Sequence, residues 1–361
     1  MIADQVAQQC ISAYISLPKS FHPSPRSNGL PQYCILAGFV LCETVGVTRQ
    51  DESAMLPHRL KCISLATGSK CLPYDKLPLD GDVLHDCHAE VLARRGAMRW
   101  IYEEMNKVMS NTFHGNNAAS TCIQRFIEPD GTSSFRFKDT FSFYMYVSTI
   151  PCEYPSFTSS SLTYLMKPLR GGDASTLMLS MMQDPDIAEL KNKIDREHSA
   201  TDLSRGRDNY SAKGVLRTKP GRADSVPTIS MSCSDKIALW SMVGFQGATL
   251  MSPGLLHEPI YLKGIVIGEV DPLLRPQILG ECQRAFGGRF SSAPGQSWVC
   301  VTKLDIFYML TYDFEDCIQP PFAHTMPEVL FTSAPFPFSR SLTKASTRGQ
   351  EAVASSEGEY Q

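Results

Sequence analysis

Apolar and polar positions recur along the chain in patterns that predict a series of helices and strands. Residues Asp4 to Tyr14 carry helical spacing. Tyr33 to Glu43 ("YCILAGFVLCE") is a nearly continuous apolar run that predicts a strand, and "HRLKCISLATGSKC" predicts a second strand running into a glycine-containing turn, so the two read as a hairpin-like start. From His88 onward, Ala97, Ile101, Met105 and Val108 recur at spacings of four, four and three, the period of a helix with one buried side. "FSFYMYVSTI" (Phe141 to Ile150) is strand-like in its aromatic and β-branched content and stops at Pro151-Cys152. The stretch "EYPSFTSSSLTYLMKPLR" that follows reads as a loop, and the polar segment after it, with a basic cluster from Arg217 to Arg222, is expected to face solvent. "SMSCSDKIALWSMVGFQG" predicts a short helix ending near Gly244, with Trp240 and Val243 as core, and "YLKGIVIGEV" predicts another strand. Strands alternating with helices give an α/β fold with helices on both faces of a sheet.

Composition narrows the class. The 361 residues are 43% hydrophobic and 20% charged, the profile of a globular chain able to bury a substantial core. The N-terminus lacks a basic start followed by a long apolar stretch, and the most apolar windows are far shorter than a membrane span, so neither secretion nor a membrane partner is expected. Twelve cysteines without dense spacing suit reduced thiols in a cytoplasmic or nuclear protein, and they make any cysteine with a task a metal or catalytic candidate. A net charge of −3 argues against binding nucleic acid with the whole surface but leaves room for a local basic patch. No DNA partner is expected, and the oligomeric state is left open.

Candidate chemistry begins at "HDCHAEVLARRG", where His88 and Glu90 stand two apart at the head of the predicted helix. One histidine with two cysteines is an accepted catalytic zinc set that leaves a fourth place for water, and His88, Cys152 and Cys233 supply it, at two apparent helix starts and one strand end. Zinc base deaminases pair His-x-Glu with a later Pro-Cys-x-x-Cys. This chain has His88-Ala89-Glu90 and Pro151-Cys152 but no cysteine three residues on, so the second thiolate must come from far away. The remaining cysteines, Cys87 and Cys122 among them, read as structural.

The ordered set "LATGSKC", "DCHAEVLARRG", "PC" followed by "GGDAS", "RTKPGRAD" and "SMSCSDKIALW" resembles the adenosine deaminase (editase) domain shared by adenosine deaminases acting on RNA and the tRNA-specific deaminases of adenosine 37. "KPGRAD" ahead of "SCSDK" looks like the tRNA-acting branch. The resemblance implies a three-layer α/β/α cytidine-deaminase-like fold with a central mixed sheet, zinc on His88, Cys152 and Cys233, and Glu90 as proton shuttle. It also implies inositol hexakisphosphate near Arg94, Arg95 and Lys236, with Asp86 linking Lys236 to the metal shell, and Ser69 and Lys70 on the substrate-facing rim. A physical reason points to the same place: Lys236 sits in the first turn of its predicted helix, where the dipole disfavours a cation, so it needs an anionic partner.

The activity so implied is hydrolytic deamination of adenosine to inosine in the anticodon loop of tRNA, with adenosine 37 of tRNA(Ala) as the target. A catalytically impaired RNA-binding or regulatory homologue and an editor of double-stranded RNA are the alternatives. The expected organisation is an N-terminal helix and lead-in over 1–29, the editase domain over 30–338 and a disordered tail over 339–361. Inserts are expected at 153–170 and 299–323, Leu239 stands where the family carries an arginine, and the family's C-terminal part is expected to be lacking.

Overall fold

The computed structural model describes residues 1–45, 58–78, 80–114, 122–151, 204–205, 217–219, 226, 228–287, 320–344 and 346. In chain order the elements are α1 (Ile2–Ile15), β1 (Leu36–Thr44), β2 (His58–Thr67), β3 (Ser69–Cys71), β4 (Asp86–His88), α2 (Ala89–His114), β5 (Ile123–Ile127), β6 (Ser133–Phe137) and β7 (Phe141–Val147). The short strands β8 (Ser204–Arg205) and β9 (Arg217–Thr218) precede α3 (Cys233–Val243), β10 (Leu262–Ile267), α4 (Arg275–Phe286) and β11 (Glu328–Phe331).

Five strands form the central sheet in the order β11-β10-β7-β1-β2. β1 is antiparallel to both β2 and β7, while β10 is parallel to β7 and β11, so the sheet is mixed. The apolar run of β1 is explained by its central place, since residues 36–42 are buried from both sides. On one face Val6, Ala7, Cys10, Ile11 and Tyr14 of α1 pack on Leu36, Val40, Cys42, Tyr144, Tyr146 and Val266. The other face carries Phe39, Leu41, Phe143, Met145 and Ile265 against Ala93, Ala97, Ile101 and Met105 of α2, Ile237 and Trp240 of α3, and Ile278 and Cys282 of α4. Helices on both faces of a mixed sheet make the three-layer α/β/α architecture the motifs implied.

A β-bulge sets where α2 lies. Val40 pairs with Cys62 but Phe39 pairs with Ser64, so Ile63 is the extra residue. The bulge turns Ser64 toward α2, where its hydroxyl donates to the Ala93 carbonyl at 2.6 Å. A Cβ at Gly96 would come within 2.3 Å of that hydroxyl oxygen, so the glycine lets the helix settle on the strand.

The expected tail opens differently from the expectation. Ser339 is buried and residues 340–344 are helical, because the Ser339 carbonyl accepts from the Thr343 amide at 3.0 Å and Ser341 donates through its amide to Glu269 at 2.8 Å. Composition missed this order because the anchors for a serine-rich segment come from distant residues. The expected insert at 153–170 and all but the last four residues of 299–323 lie outside the described residues. Among the described residues no helix is long and apolar enough to cross a membrane.

Candidate active site

The "LATGSKC" and "DCHAE" motifs meet as a two-stranded ribbon. β3 and β4 pair antiparallel, with Ser69 opposite His88 and Cys71 opposite Asp86. Alternation along β4 buries Asp86 and His88 and leaves Cys87 half-buried between them. His88 therefore ends a strand instead of starting the helix, which begins at Ala89, and Glu90 lies in its first turn. The crossing is tight: the Gly68 carbonyl accepts from the Ala89 amide at 3.0 Å, and a Cβ on Gly68 would fall 1.9 Å from the Cys87 carbonyl oxygen. That neighbour is backbone and cannot swing aside. Gly68→Ala is expected to cost about 3 kcal/mol of folding stability by overpacking, read from urea unfolding; a loss under about 0.5 kcal/mol would show that the junction relaxes.

Asp86 is the hub. Its Oδ1 accepts from the His88 amide at 3.1 Å and lies 3.0 Å from His88 Nδ1. Lys219 Nζ donates to Oδ2 at 2.9 Å, and Lys236 Nζ and the Ser230 hydroxyl also donate to Oδ2. Burial alone would raise the carboxyl, but the hydrogen bond from His88 and the ammonium groups of Lys219 and Lys236 outweigh it and hold Asp86 well below the usual carboxylate range. An ionised Asp86 can only accept, so His88 Nδ1 carries the proton and Nε2 is the lone-pair nitrogen, the state a metal-ligating histidine requires.

Cys233 arrives from α3. Ser232 caps that helix by accepting from the Asp235 amide at 3.1 Å, which puts Cys233 at the first helical position, 1% exposed. Lys219 Nζ donates to its sulfur at 3.1 Å. A helix N-terminus and an adjacent ammonium both favour the thiolate, the metal-binding form. Lys219 thus ties Cys233 to Asp86 and, through it, to His88.

Lys219 corrects an expectation, since the Arg217–Arg222 cluster was read as facing solvent and this lysine is 4% exposed. It is drawn inward because Thr218 bridges Met231 and its own amide donates to the Ser230 carbonyl at 2.8 Å, aiming the side chain at a buried carboxylate. Ser230 and Cys71 were likewise unassigned. Cys71 Sγ lies 3.3 Å from Asp86 Oδ1 and 3.4 Å from His88 Nδ1. The signal available was that Lys219, Ser230 and Cys71 all stand inside or beside the quoted motifs.

The Glu90 side chain is buried, with the residue 2% exposed, and among the described residues its carboxylate has no hydrogen-bond partner. Lys236, in the first turn of α3, meets Asp86 and also donates to the Ser230 hydroxyl at 2.8 Å. Arg94 donates to the Phe245 carbonyl at 2.6 Å and lies over the Trp240 ring, and burial together with Arg95 pulls its pKa down to about 10. Arg95, Ser69 and Lys70 are exposed. Cys152 lies outside the described residues, though Pro151 before it is buried at the end of the segment leaving β7.

Two donor sets for a metal can be weighed. Cys71, Asp86 and His88 offer ligand atoms all within 4.8 Å of one another. Asp86, however, is already occupied by two ammoniums, a hydroxyl and an imidazole, so it is placed to orient His88. The His88 imidazole and the Cys233 sulfur are donor types that fit zinc.

Residues 64–320, more than half of the chain, match the model of the adenosine-deaminase (editase) domain. The chain is 30% identical to tRNA-specific adenosine deaminase 1 of Saccharomyces cerevisiae, over 75% of this chain and 59% of the relative. It is 32% identical to tRNA-specific adenosine deaminase 1 of Drosophila melanogaster over 72% of this chain and 54% of the relative. With the double-stranded RNA-specific adenosine deaminase of Rattus norvegicus the identity is 27%, over 73% of this chain and 19% of the relative. The chain thus spans little more than half the length of the tRNA-specific relatives it matches. The matched region takes in the Asp86 hub, His88, Glu90 and Cys233, and the chain belongs to the adenosine-deaminase (editase) domain family.

Proposed function

We propose that the protein is a zinc-dependent deaminase that converts adenosine to inosine in tRNA, with adenosine 37 of tRNA(Ala) as its substrate. The observation that carries this reading is the buried, unpartnered Glu90 carboxylate two residues from a histidine whose tautomer Asp86 fixes. Zinc would be held by His88, Cys152 and Cys233, and when bound it supplies acidification of water and charge stabilisation. Glu90 takes one proton from the attacking water and gives it to the adenine ring nitrogen, then takes the proton of the resulting C6 hydroxyl and gives it to the leaving amine, so that adenosine and water give inosine and ammonia. Asp86 and Lys219 hold His88 and Cys233 in place. Ser69 and Lys70, exposed opposite His88 and Cys87, would contact the nucleotide. The tRNA branch is favoured by "KPGRAD" and by the named tRNA-specific relatives. A target base must be unstacked to reach such a site, and an anticodon loop offers it unpaired.

The same reading extends to inositol hexakisphosphate. Arg94 is a largely buried guanidinium beside Arg95, with no carboxylate partner among the described residues, and an uncompensated buried cation calls for an anion. Arg94, Arg95 and Lys236 would hold the near side of the polyphosphate, whose contribution is charge neutralisation.

The test is metal and phosphate analysis of the purified chain together with an inosine assay on tRNA(Ala) transcript. Stoichiometric zinc and inosine at position 37 are expected. Zinc without inosine would favour the catalytically impaired homologue, and inosine in duplex RNA alone would move the chain to the other branch.

A further inference from the structure

On the face of the sheet away from the candidate active site, two thiols meet. Cys10 of α1 is fully buried and Cys62 of β2 is half-buried, and their sulfurs lie 3.9 Å apart. Both positions are set by the fold. Cys62 faces α1 because it pairs with Val40, whose side chain lies in the α1 layer, on the α1-facing side of the bulge at Ile63. Cys10 lies over Gly38 of β1, where any Cβ would come 2.6 Å from its sulfur, so the absence of a side chain at Gly38 makes the space the thiol occupies.

We propose that Cys10 and Cys62 form a redox-modifiable dithiol, oxidised to a disulfide by a small-molecule disulfide of the glutathione class, which staples α1 to the edge strand of the sheet. The sulfurs need to close by roughly 2 Å to reach bonding distance, a displacement within reach of side-chain rotation. The chemistry assigns different roles to the two thiols. Contact with Cys62 and burial push Cys10 up, while contact with Cys10 draws Cys62 down, so the first thiolate forms on the more accessible sulfur. That thiolate attacks the oxidant, forming a mixed disulfide and expelling one glutathione thiolate. Cys10 then loses its proton and attacks the Cys62 sulfur, expelling the second. The protein gives up two protons and two electrons, and the oxidant is reduced to two thiols.

The bond would join helix α1 to β2, the strand that continues through Gly68 into β3 of the candidate site. Its effect on the folded state is a covalent restraint added to the packing of α1 and to the hydrogen bonds that Thr332 and Ser333 donate to Asp4 in its first turn, and it closes a long loop in the unfolded chain.

The experiment oxidises the full chain with glutathione disulfide, then maps peptides under non-reducing conditions and follows thermal unfolding. A peptide pair linked through Cys10 and Cys62, with a mass loss of two hydrogens, is expected, as is a rise in Tm of about 5 °C that dithiothreitol reverses. Cys62→Ser, at the half-buried position, should abolish both readouts while the reduced variant keeps the wild-type Tm. Cys10→Ala should do the same for the linkage if it folds. Cys34→Ser and Cys42→Ser should leave both intact. A persistent glutathione adduct on Cys62 with no linked peptide, or a link between other cysteines, would overturn the proposal.

Discussion

Glu90→Gln is expected to lower inosine formation by about 10²- to 10⁴-fold, the range general acid–base catalysis contributes, while leaving zinc content unchanged. The argument rests on what the carboxylate does not do. It is buried in the first turn of α2 and has no hydrogen-bond partner among the described residues, which leaves it free for the proton transfers proposed above. An amide of the same shape fills the same volume but cannot take a proton. Because the Glu90 side chain makes no hydrogen bond within the described residues, the substitution should also hold or raise the thermal midpoint, as happens where a site sacrifices stability for activity. Single-turnover rates, metal content and thermal unfolding measured on one preparation separate these effects. A variant that retains near-normal rate would rule out the proton-shuttle role, and one that loses zinc would make Glu90 part of the metal site.

Asp86→Asn is expected to destabilise the fold by about 3–5 kcal/mol, the cost of stranding buried charges whose partner has been removed. The Asp86 and Lys219 side chains are 3% and 5% exposed, so the Lys219 ammonium cannot turn to bulk water without rearranging its surroundings, while Lys236 at 18% exposed is partly screened. The sign of the pH dependence follows from the depressed carboxyl. Because its folded-state value lies well below the ordinary 3.8, Asp86 contributes stability that is fully present above that pH and is lost as pH falls toward the folded value. Wild type and variant should therefore differ most near neutrality and converge only in strong acid. Urea unfolding at a series of pH values reads this directly, and a constant difference down to about pH 2 would assign the loss to packing instead of charge.

Periodicity made much of the fold legible. The helix from Ala89, with Ala97, Ile101 and Met105 buried, and the strands β1, β2, β7 and β10 follow from spacing and apolar runs because one buried face imposes a pattern on consecutive residues. The hairpin of β5 and β6 and the edge strand β11 carry weaker signals. They are short, and their apolar positions, such as Phe135 and Val329, are fixed by partners distant in sequence.

The sequence by itself determined the residue types at the site, the order of the motifs and the need of Lys236 for an anion, since each is a property of neighbours along the chain. Only the tertiary structure decided that His88 ends a strand, that Lys219 leaves the solvent for the interior, and that Asp86 gathers His88, Lys219, Lys236 and Ser230 from segments up to 150 residues away. The physical reason is that an ion pair in the interior is specified by desolvation and geometry. Neither has a period along the chain, so a buried lysine and an exposed one are spelled the same way until the fold brings a carboxylate to one of them.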